Sequence, residues 1–162
     1  MAILKIVTYP AAVLRKKAAA LRAVGPKEKR LIQDMIETMY REDGVGLAAP
    51  QVGISKRIIV ISPSARKGEE RAYVNPEVIA RSPEEETGLE GCLSLPDVSG
   101  EVRRAKRIKV QAINLDAVHV TEEMDGFRAR VLQHEIDHLD GILLIDRLDF
   151  NQKQIVGACE RF

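Results

Sequence analysis

The sequence has no long apolar run, few cysteines and almost no excess charge. Among its 162 residues, no apolar stretch approaches the roughly 20 residues that a membrane-spanning helix requires. The 25 lysines and arginines nearly balance the 24 aspartates and glutamates, so the charge indicates neither a nucleic acid nor a membrane surface as partner. Two cysteines are too few for a disulfide framework. We therefore expect a cytoplasmic protein that acts on a small or peptide-like molecule.

The N-terminal segment allows two interpretations. No acidic residue precedes Glu28, and Leu14 to Ala23 is rich in Ala, Lys and Arg, a composition that transit peptides share. We favour a folded segment, because it has little serine and because Ile3 to Val7 has the composition of an edge strand. The Tyr9-Pro10 step and a short helical turn are then expected to follow that strand.

The spacing of apolar residues predicts an α+β fold, in a single domain that spans residues 1–162. One helix is expected to start at Pro26 and to end near Asp43, and a second is expected from Met124 to Leu139, with Gly141 placed to stop it. Strands are predicted at Arg57 to Ser62, Ala72 to Ile79 and Ile108 to Leu115. Mainly antiparallel sheets should therefore pack around the second helix.

That second helix carries a metal-site motif. His134, Glu135 and His138 form the pattern H-E-x-x-H. Because four residues advance an α-helix by slightly more than one turn, both imidazoles lie on one face and reach one ion. Glu135 lies beside the ion without ligating it. The pattern is typical of metal-dependent hydrolases, but such sites usually take three ligands from the protein.

The third ligand is sought among Cys92, His119 and the scattered carboxylates. His119 lies on an apparent strand and is interpreted as an ordinary surface or packing histidine. Cys92 lies between Gly91 and the Leu-Ser-Leu-Pro run, in a segment of unusual backbone freedom. A thiolate is a good ligand for zinc or iron, so Cys92 is favoured as a ligand over the reading as a buried structural cysteine.

Three segments together resemble the peptide deformylase family. They are Gly44 to Gln51 (GVGLAAPQ), Glu90 to Ser94 (EGCLS) and Gln133 to His138 (QHEIDH), and their order and separations also match. The resemblance runs from about Pro10 to Arg147. It implies a hydrolase that removes the N-formyl group from nascent polypeptides and so takes part in N-terminal methionine processing.

The resemblance also implies roles for individual residues. Cys92, His134 and His138 would bind one divalent metal ion, natively Fe²⁺, with Zn²⁺, Ni²⁺ or Co²⁺ able to replace it. Water activated at the metal would attack the formyl carbon, with Glu135 as general base and acid. The remaining implied partners are N-formylmethionyl peptides and, transiently, the ribosome.

Further residues match the oxyanion and substrate positions of the family. The side-chain amide of Gln51 and the backbone N–H of Leu93 resemble its oxyanion stabilisers, and Gly46 resembles a backbone contact to substrate. The glycine-rich segment around Gly46 is also suited to pair with a peptide as an added strand.

Helical spacing indicates the walls of a pocket for the substrate side chain. Phe127 lies two turns before the first histidine and either Val131 or Arg130 lies one turn before it, roughly on its face. Val45 and Leu47 are expected to add apolar surface. Each of these residues could instead belong to the ordinary core.

Supporting contacts are expected behind the metal. Glu90 is interpreted as a partner of Arg103 or Arg104 that holds the cysteine segment in place. Asp137 or Gln133 is expected to orient neighbouring groups. Each of these residues could instead be an exposed, solvated polar group.

Two other classes share parts of this pattern. A zinc endopeptidase takes its third ligand from a downstream His or Glu, and only Glu160 follows His138 as such a residue. A catalytically idle domain with a structural metal would need a fourth protein ligand, which the sequence does not suggest. The tail from Asp149 to Phe162 is long enough for a helix of about three turns.

Overall fold

The computed structural model describes residues 2–148. The predicted C-terminal helix, with Cys159 and Glu160, lies outside the described residues. The α-helices are α1 (Pro26–Arg41), α2 (Gly126–Leu139) and the short α3 (Leu144–Arg147), and 3-10 turns occur at Ala12–Arg15 and Ala49–Val52. The strands are β1 (Gly46–Ala48), β2 (Ile58–Ile61), β3 (Arg71–Arg81), β4 (Glu85–Cys92), β5 (Leu95–Ala105), β6 (Arg107–Ile113) and β7 (His119–Asp125).

The strands form two antiparallel sheets. The larger sheet has the order β1-β2-β3-β6-β7, with Gly46 opposite Ile61 at one edge and Ile108 opposite Met124 near the other. The smaller sheet is the hairpin β4-β5, in which Gly88 pairs with Val102. No helix within the described residues is long and apolar enough to cross a membrane.

Strand β2 shows how the helices cover the larger sheet. Its alternate side chains point to opposite faces. Ile59 and Ile61 pack in the cluster that contains Leu132 and Leu139 of α2, whereas Ile58 and Val60 pack with α1 residues. Every residue from 129 to 139 in α2 is buried. The predicted α+β architecture around a central H-E-x-x-H helix is therefore confirmed.

The predicted helices and strands agree with the structure to within a few residues, except at the N-terminus. The segment from Ile3 to Val7 is not a strand, so that expectation is wrong. Its amides find other partners: the N–H of Leu4 donates to Thr38 Oγ1 at 2.8 Å, and that of Val7 donates to the Gln51 carbonyl at 2.7 Å. The short helical turn after Pro10 is confirmed.

The hairpin β4-β5 was not predicted from the sequence. Its strands contain Glu85, Glu86, Gly88, Glu90 and Gly91, and residues of these types are depleted in strands. Most of its first strand is exposed, so that no continuous apolar pattern marks it. Cys92 consequently lies at the end of a strand, directly before a two-residue turn, and not in an irregular loop.

Candidate functional site

The three predicted metal ligands lie together. Cys92 comes from the end of β4, and His134 and His138 come from successive turns of α2. One potential ligand atom from each residue lies within 4.8 Å of the other two. Cys92 Sγ is 3.3 Å from His138 Nε2, and the two imidazole centroids are 5.0 Å apart. His119, which was not favoured as a ligand, is exposed at the start of β7.

Glu90 orients the first histidine. Its Oε1 lies 2.8 Å from His134 Nδ1, which leaves Nε2 as the ring nitrogen available for an ion. Arg104 donates to both carboxylate oxygens of Glu90, at 2.7 and 2.8 Å. Burial of Glu90 raises its pKa, but hydrogen bonds from Arg104 and His134 outweigh burial and lower the pKa to about 2. Glu90 is therefore ionised in the folded protein at neutral pH.

The pKa values of the two histidines are shifted in opposite directions. Burial lowers the pKa of His134, but hydrogen bonds with Cys92 and Glu90 outweigh it and raise the pKa to about 10. For His138, burial and the charges of His134 and Arg104 all lower the pKa well below its usual value. His138 is thus ready to ligate as neutral imidazole, whereas binding of an ion at His134 must release a proton.

This donor set suits a divalent metal ion. One sulfur and two imidazole nitrogens are ligands that zinc and iron accept, and three protein ligands leave a position open for chemistry. Two buried atoms of the site, Glu135 Oε2 and His138 Nδ1, have no hydrogen-bond partner among the described residues. Such buried polar atoms usually find a partner when a site is complete.

Glu135 lies next to the ligands in a tightly packed environment. Glu135 is only 4% exposed. Burial is the largest cause of the shift in its pKa, which rises to about 7. Gly46 packs directly against it, because a Cβ at position 46 would lie 2.7 Å from Glu135 Oε1 and 3.0 Å from Val131 Cγ1. Glycine is therefore required at position 46 to leave room for the carboxyl group.

The orientation of the Gln51 amide is fixed by its neighbours. Its Oε1 accepts a hydrogen bond from the Ala48 N–H at 2.9 Å. Its Nε2 consequently points the other way, 3.3 Å from Ser94 Oγ and 3.6 Å from Cys92 Sγ. An amide N–H donor therefore faces the sulfur end of the metal site.

A cavity of about 530 Å³ opens beside these groups. Val45, Leu93, Phe127, Arg130 and Val131 all line it, so Val131 and Arg130 both contribute to the wall. Phe127 is 54% exposed and stands at the rim. The expectation for Leu47 is wrong: it is fully buried with α1 residues, because it points to the opposite face of β1 from Gly46, whose Cβ position faces Glu135 of α2.

The edge strand β1 turns part of its backbone toward the cavity. Val45 O accepts a hydrogen bond from Ser62 N at 2.8 Å, so residue 45 faces β2. In an antiparallel ladder, the next residue directs its N–H and C=O to the opposite side. Gly46 therefore presents its backbone groups away from β2, at the edge of the sheet.

The ionic contacts behind the site identify the residues that support the ligands. Arg104, not Arg103, pairs with Glu90, and Arg104 Nη1 also donates to Asp137 Oδ2 at 2.9 Å. Gln133 instead donates to two backbone carbonyls, those of Ala105 and Ala129. Asp137 therefore belongs to the charged network around Glu90, and Gln133 does not.

Three further residues contribute contacts that the sequence did not indicate. Ser94 lies beside the Gln51 amide, Arg130 pairs with Glu90, and Arg147 pairs with Asp137. None of the three belongs to the H-E-x-x-H motif. Each of these contacts joins different elements of the fold, so the local spacing of residues gave no signal for them.

A Cys-His-His set with two buried histidines, next to a buried carboxyl group and a substrate-sized cavity, defines a class of protein, the metal-dependent hydrolases. Comparison with known proteins gives the family. The model of the family described as polypeptide deformylase matches residues 3–154, and the chain belongs to this family.

Individual peptide deformylases are similar to this chain over most of their length. The chain is 47% identical to peptide deformylase 1 of Bacillus subtilis over 148 residues, which is 91% of each chain. The crystal structure of peptide deformylase from Thermotoga maritima superposes with a TM-score of 0.87 at 46% identity and covers 92% of this chain and 99% of its own. The enzyme of Legionella pneumophila gives 0.92 at 38% identity, with 97% and 92% covered. Members of this family are metal-dependent enzymes that remove the formyl group from N-terminal methionine.

Proposed function

We propose that residues 1–162 form one catalytic domain that hydrolyses the formamide of N-formylmethionyl peptides, and releases formate, in the cytoplasm. Its contact with the ribosome is transient. The observation that carries the proposal is the convergence of Cys92, His134 and His138 with the buried carboxyl of Glu135 and the donor amide of Gln51.

In this proposal Cys92, His134 and His138 hold a divalent metal ion, with Fe²⁺ as the native ion and Zn²⁺, Ni²⁺ or Co²⁺ as functional replacements. When bound, the ion supplies a Lewis acid that acidifies water and polarises the formyl carbonyl. The protein's own task is to align the three donors. Glu90 serves that task at His134, because it fixes which ring nitrogen faces the ion.

Glu135 is proposed to move the proton. Its pKa of about 7 is close to the pH of the cytoplasm. A group that must first accept a proton and then return it works best when its pKa lies near the working pH. Glu135 accepts the proton of the attacking water at its carboxylate and then delivers it to the departing amine. Its burial excludes bulk water, which would otherwise exchange that proton.

Negative charge then develops on the former formyl oxygen. The Gln51 Nε2 donor and the backbone N–H of Leu93, in the turn after Cys92, are proposed to stabilise that charge. The contact between Gln51 Oε1 and Ala48 supports this assignment, because it holds the donor in place before the reaction begins.

The substrate is proposed to bind along β1 as an added strand. Gly46 offers backbone groups at the sheet edge, and pairing of this kind gives affinity with little sequence preference. Val45, Val131 and the rim residue Phe127 supply apolar surface for the unbranched methionine side chain. Selectivity then comes mainly from the first residue of the peptide.

An assay of formate release from an N-formyl-Met peptide by anaerobically prepared iron protein tests the function. Formate production is the expected result. Cleavage of internal peptide bonds without formate would select the endopeptidase class. If the metal-loaded protein neither releases formate nor cleaves peptide bonds, the result would favour a catalytically idle domain in which the metal ion is structural.

Replacing Gln51 tests the oxyanion assignment. We expect Gln51→Ala to lower kcat by about 100- to 1,000-fold, the usual cost of one oxyanion donor. Gln51→Glu keeps an acceptor for the Ala48 N–H but has no donor, so we expect it to be similarly inactive while still folded. The exposed Gln111 on β6 provides the matched control, Gln111→Ala. Turnover of Gln51→Ala within a few-fold of the parent protein would contradict the assignment.

The identity of the bound ion should decide how the enzyme tolerates air. A thiolate ligand and ferrous iron are both open to oxidation, whereas zinc has no redox chemistry. We expect the iron form to lose activity in air much faster than the zinc form of the same preparation. Parallel time courses of formate release after exposure to air measure the difference, and equal rates of loss would argue against the redox explanation.

A further inference from the structure

Arg130 is a buried arginine that lies one helical turn before His134 and reaches out of α2 to the hairpin. Its Nη1 donates to Glu90 Oε2 at 2.7 Å and to the carbonyl oxygen of Val102, on β5, at 2.8 Å. Its Nη2 donates to the carbonyl oxygen of Glu86, on β4, at 2.7 Å. One side chain from the helix therefore holds both strands of the hairpin.

The hairpin has a space for this guanidinium group. Gly88 pairs with Val102 and lies two residues from Glu86, and the carbonyls of these two residues both accept hydrogen bonds from Arg130. A Cβ at Gly88 would lie 3.0 Å from both Cζ and Nε of Arg130. The glycine is therefore explained by close approach of the guanidinium.

Neutralisation of Glu90 does not by itself require Arg130. Arg104 already donates to both oxygens of Glu90 from within the hairpin, at 2.7 and 2.8 Å. What Arg130 adds is a connection in the other direction, from α2 to the backbone of both strands. Arg104, on β5, also reaches α2 through Asp137, but only Arg130 extends from α2 to the backbone of both strands.

This connection matters because the ligands come from two separate pieces of structure. Within residues 2–148, the hairpin forms its own sheet and has no ladder to the five-stranded sheet. It continues into β6 through Lys106, and its contacts with α2 are made by side chains, among them Arg130, Gln133 and the Arg104–Asp137 pair. A shift of the hairpin would change the distance from Cys92 Sγ to His138 Nε2, which is 3.3 Å in the aligned state.

We propose that Arg130, seated on Gly88, is a positioning residue that aligns the Cys92 hairpin with the histidine helix and so sets the geometry of the metal site. The proposal rests on the ligand set of the proposed function. It concerns metal binding, however, and not the reaction that follows. Arg130 acts through the backbone of the hairpin and through Glu90.

Cobalt-loaded protein provides the test without any substrate. In the Arg130→Met variant we expect the affinity for Co²⁺, measured by competition with a chelator, to fall by about 10-fold, the lower end of what loss of such supporting contacts costs. The sulfur-to-cobalt charge-transfer band, which reports ligation by Cys92, should shift or weaken. Arg128→Met is the matched control, because Arg128 lies on the same helix but pairs with Tyr73 and Glu122.

Two further variants separate alignment from charge and from general stability. Arg130→Lys keeps the positive charge but lacks the planar fork that bonds both strands, so we expect it to resemble Arg130→Met. Gly88→Ala should weaken Co²⁺ binding several-fold in the parent protein and cause no further loss in Arg130→Met. Near-normal affinity and spectrum in Arg130→Met, or full retention of both in Arg130→Lys, would overturn the proposal.

The outcome is independent of the deformylase assay. If the parent protein binds Co²⁺ but releases no formate, the alignment role can still be confirmed while the proposed function fails. If the parent protein releases formate and Arg130→Met binds Co²⁺ as tightly as Arg128→Met does, only the alignment role fails.

Discussion

Replacing Glu135 by glutamine is expected to abolish nearly all turnover while the protein still binds its metal ion. Glutamine has almost the same shape as glutamate but cannot accept a proton from water or return one to the departing amine. General acid–base catalysis usually contributes about two to four orders of magnitude, so kcat should fall by about that amount. Metal content should remain near that of the parent protein, since Glu135 is outside the Cys92, His134 and His138 set.

The measurement pairs formate release with metal analysis of the same sample. Glu123→Gln, on the exposed face of β7, is the matched control and should keep full activity. Thermal unfolding of Glu135→Gln should show no loss of stability, because burial of an unpaired carboxyl group is unfavourable and the amide removes that charge. Substantial turnover by Glu135→Gln would reject Glu135 as the base.

The metal ligands were the part of the site most accessible to prediction from sequence. The four-residue spacing of His134 and His138 has a direct geometric meaning in a helix, and α2 places both rings toward one point. Cys92 was harder, because its partners are more than 40 residues away in sequence. Elimination of His119, the backbone freedom beside Gly91, the ligand chemistry of a thiolate and the resemblance of the EGCLS segment indicated it.

The supporting residues could not be assigned uniquely, because adjacent strand residues face opposite ways. Arg103 and Arg104 are neighbours on β5, and only Arg104 points inward to Glu90, whereas Arg103 pairs with Glu85 on the exposed face. Val45 and Leu47 are two residues apart, and only the structure shows that Val45 packs with the α2 cluster and Leu47 with the α1 cluster. Without the strand boundaries, both members of each pair fitted the sequence equally well.

The two glycines next to the site show what sequence alone could not explain. The sequence shows that residues 46 and 88 have no side chain. The groups that occupy the space where a Cβ would lie come from α2, far along the chain. Glu135 occupies the space over Gly46, and Arg130 occupies the space over Gly88. Glycine could suggest a close approach in each case, but only the packing of α2 on the strands identifies the partner.

Replacing Glu90 is expected to have the largest effect on stability and on metal binding together. Its buried carboxylate accepts hydrogen bonds from Arg104 and Arg130 and binds His134 Nδ1. Removing one member of a buried ionic network costs about 3–5 kcal/mol of unfolding free energy, because the remaining charges are left uncompensated. Asp137, which also pairs with Arg104, offsets only part of that charge, so we expect a value in this range for Glu90→Gln.

Metal affinity should fall with stability, because Glu90 also fixes the ring of His134. We expect the dissociation constant for Zn²⁺ or Co²⁺ to rise by about 10- to 100-fold in Glu90→Gln. Denaturant unfolding of the metal-free protein and chelator competition of the loaded protein measure the two effects separately. Glu86→Gln, on the same strand but exposed, is the matched control and should change neither. If Glu90→Gln binds metal as tightly as this control, Glu90 contributes to the packing of the hairpin but does not orient the ligand.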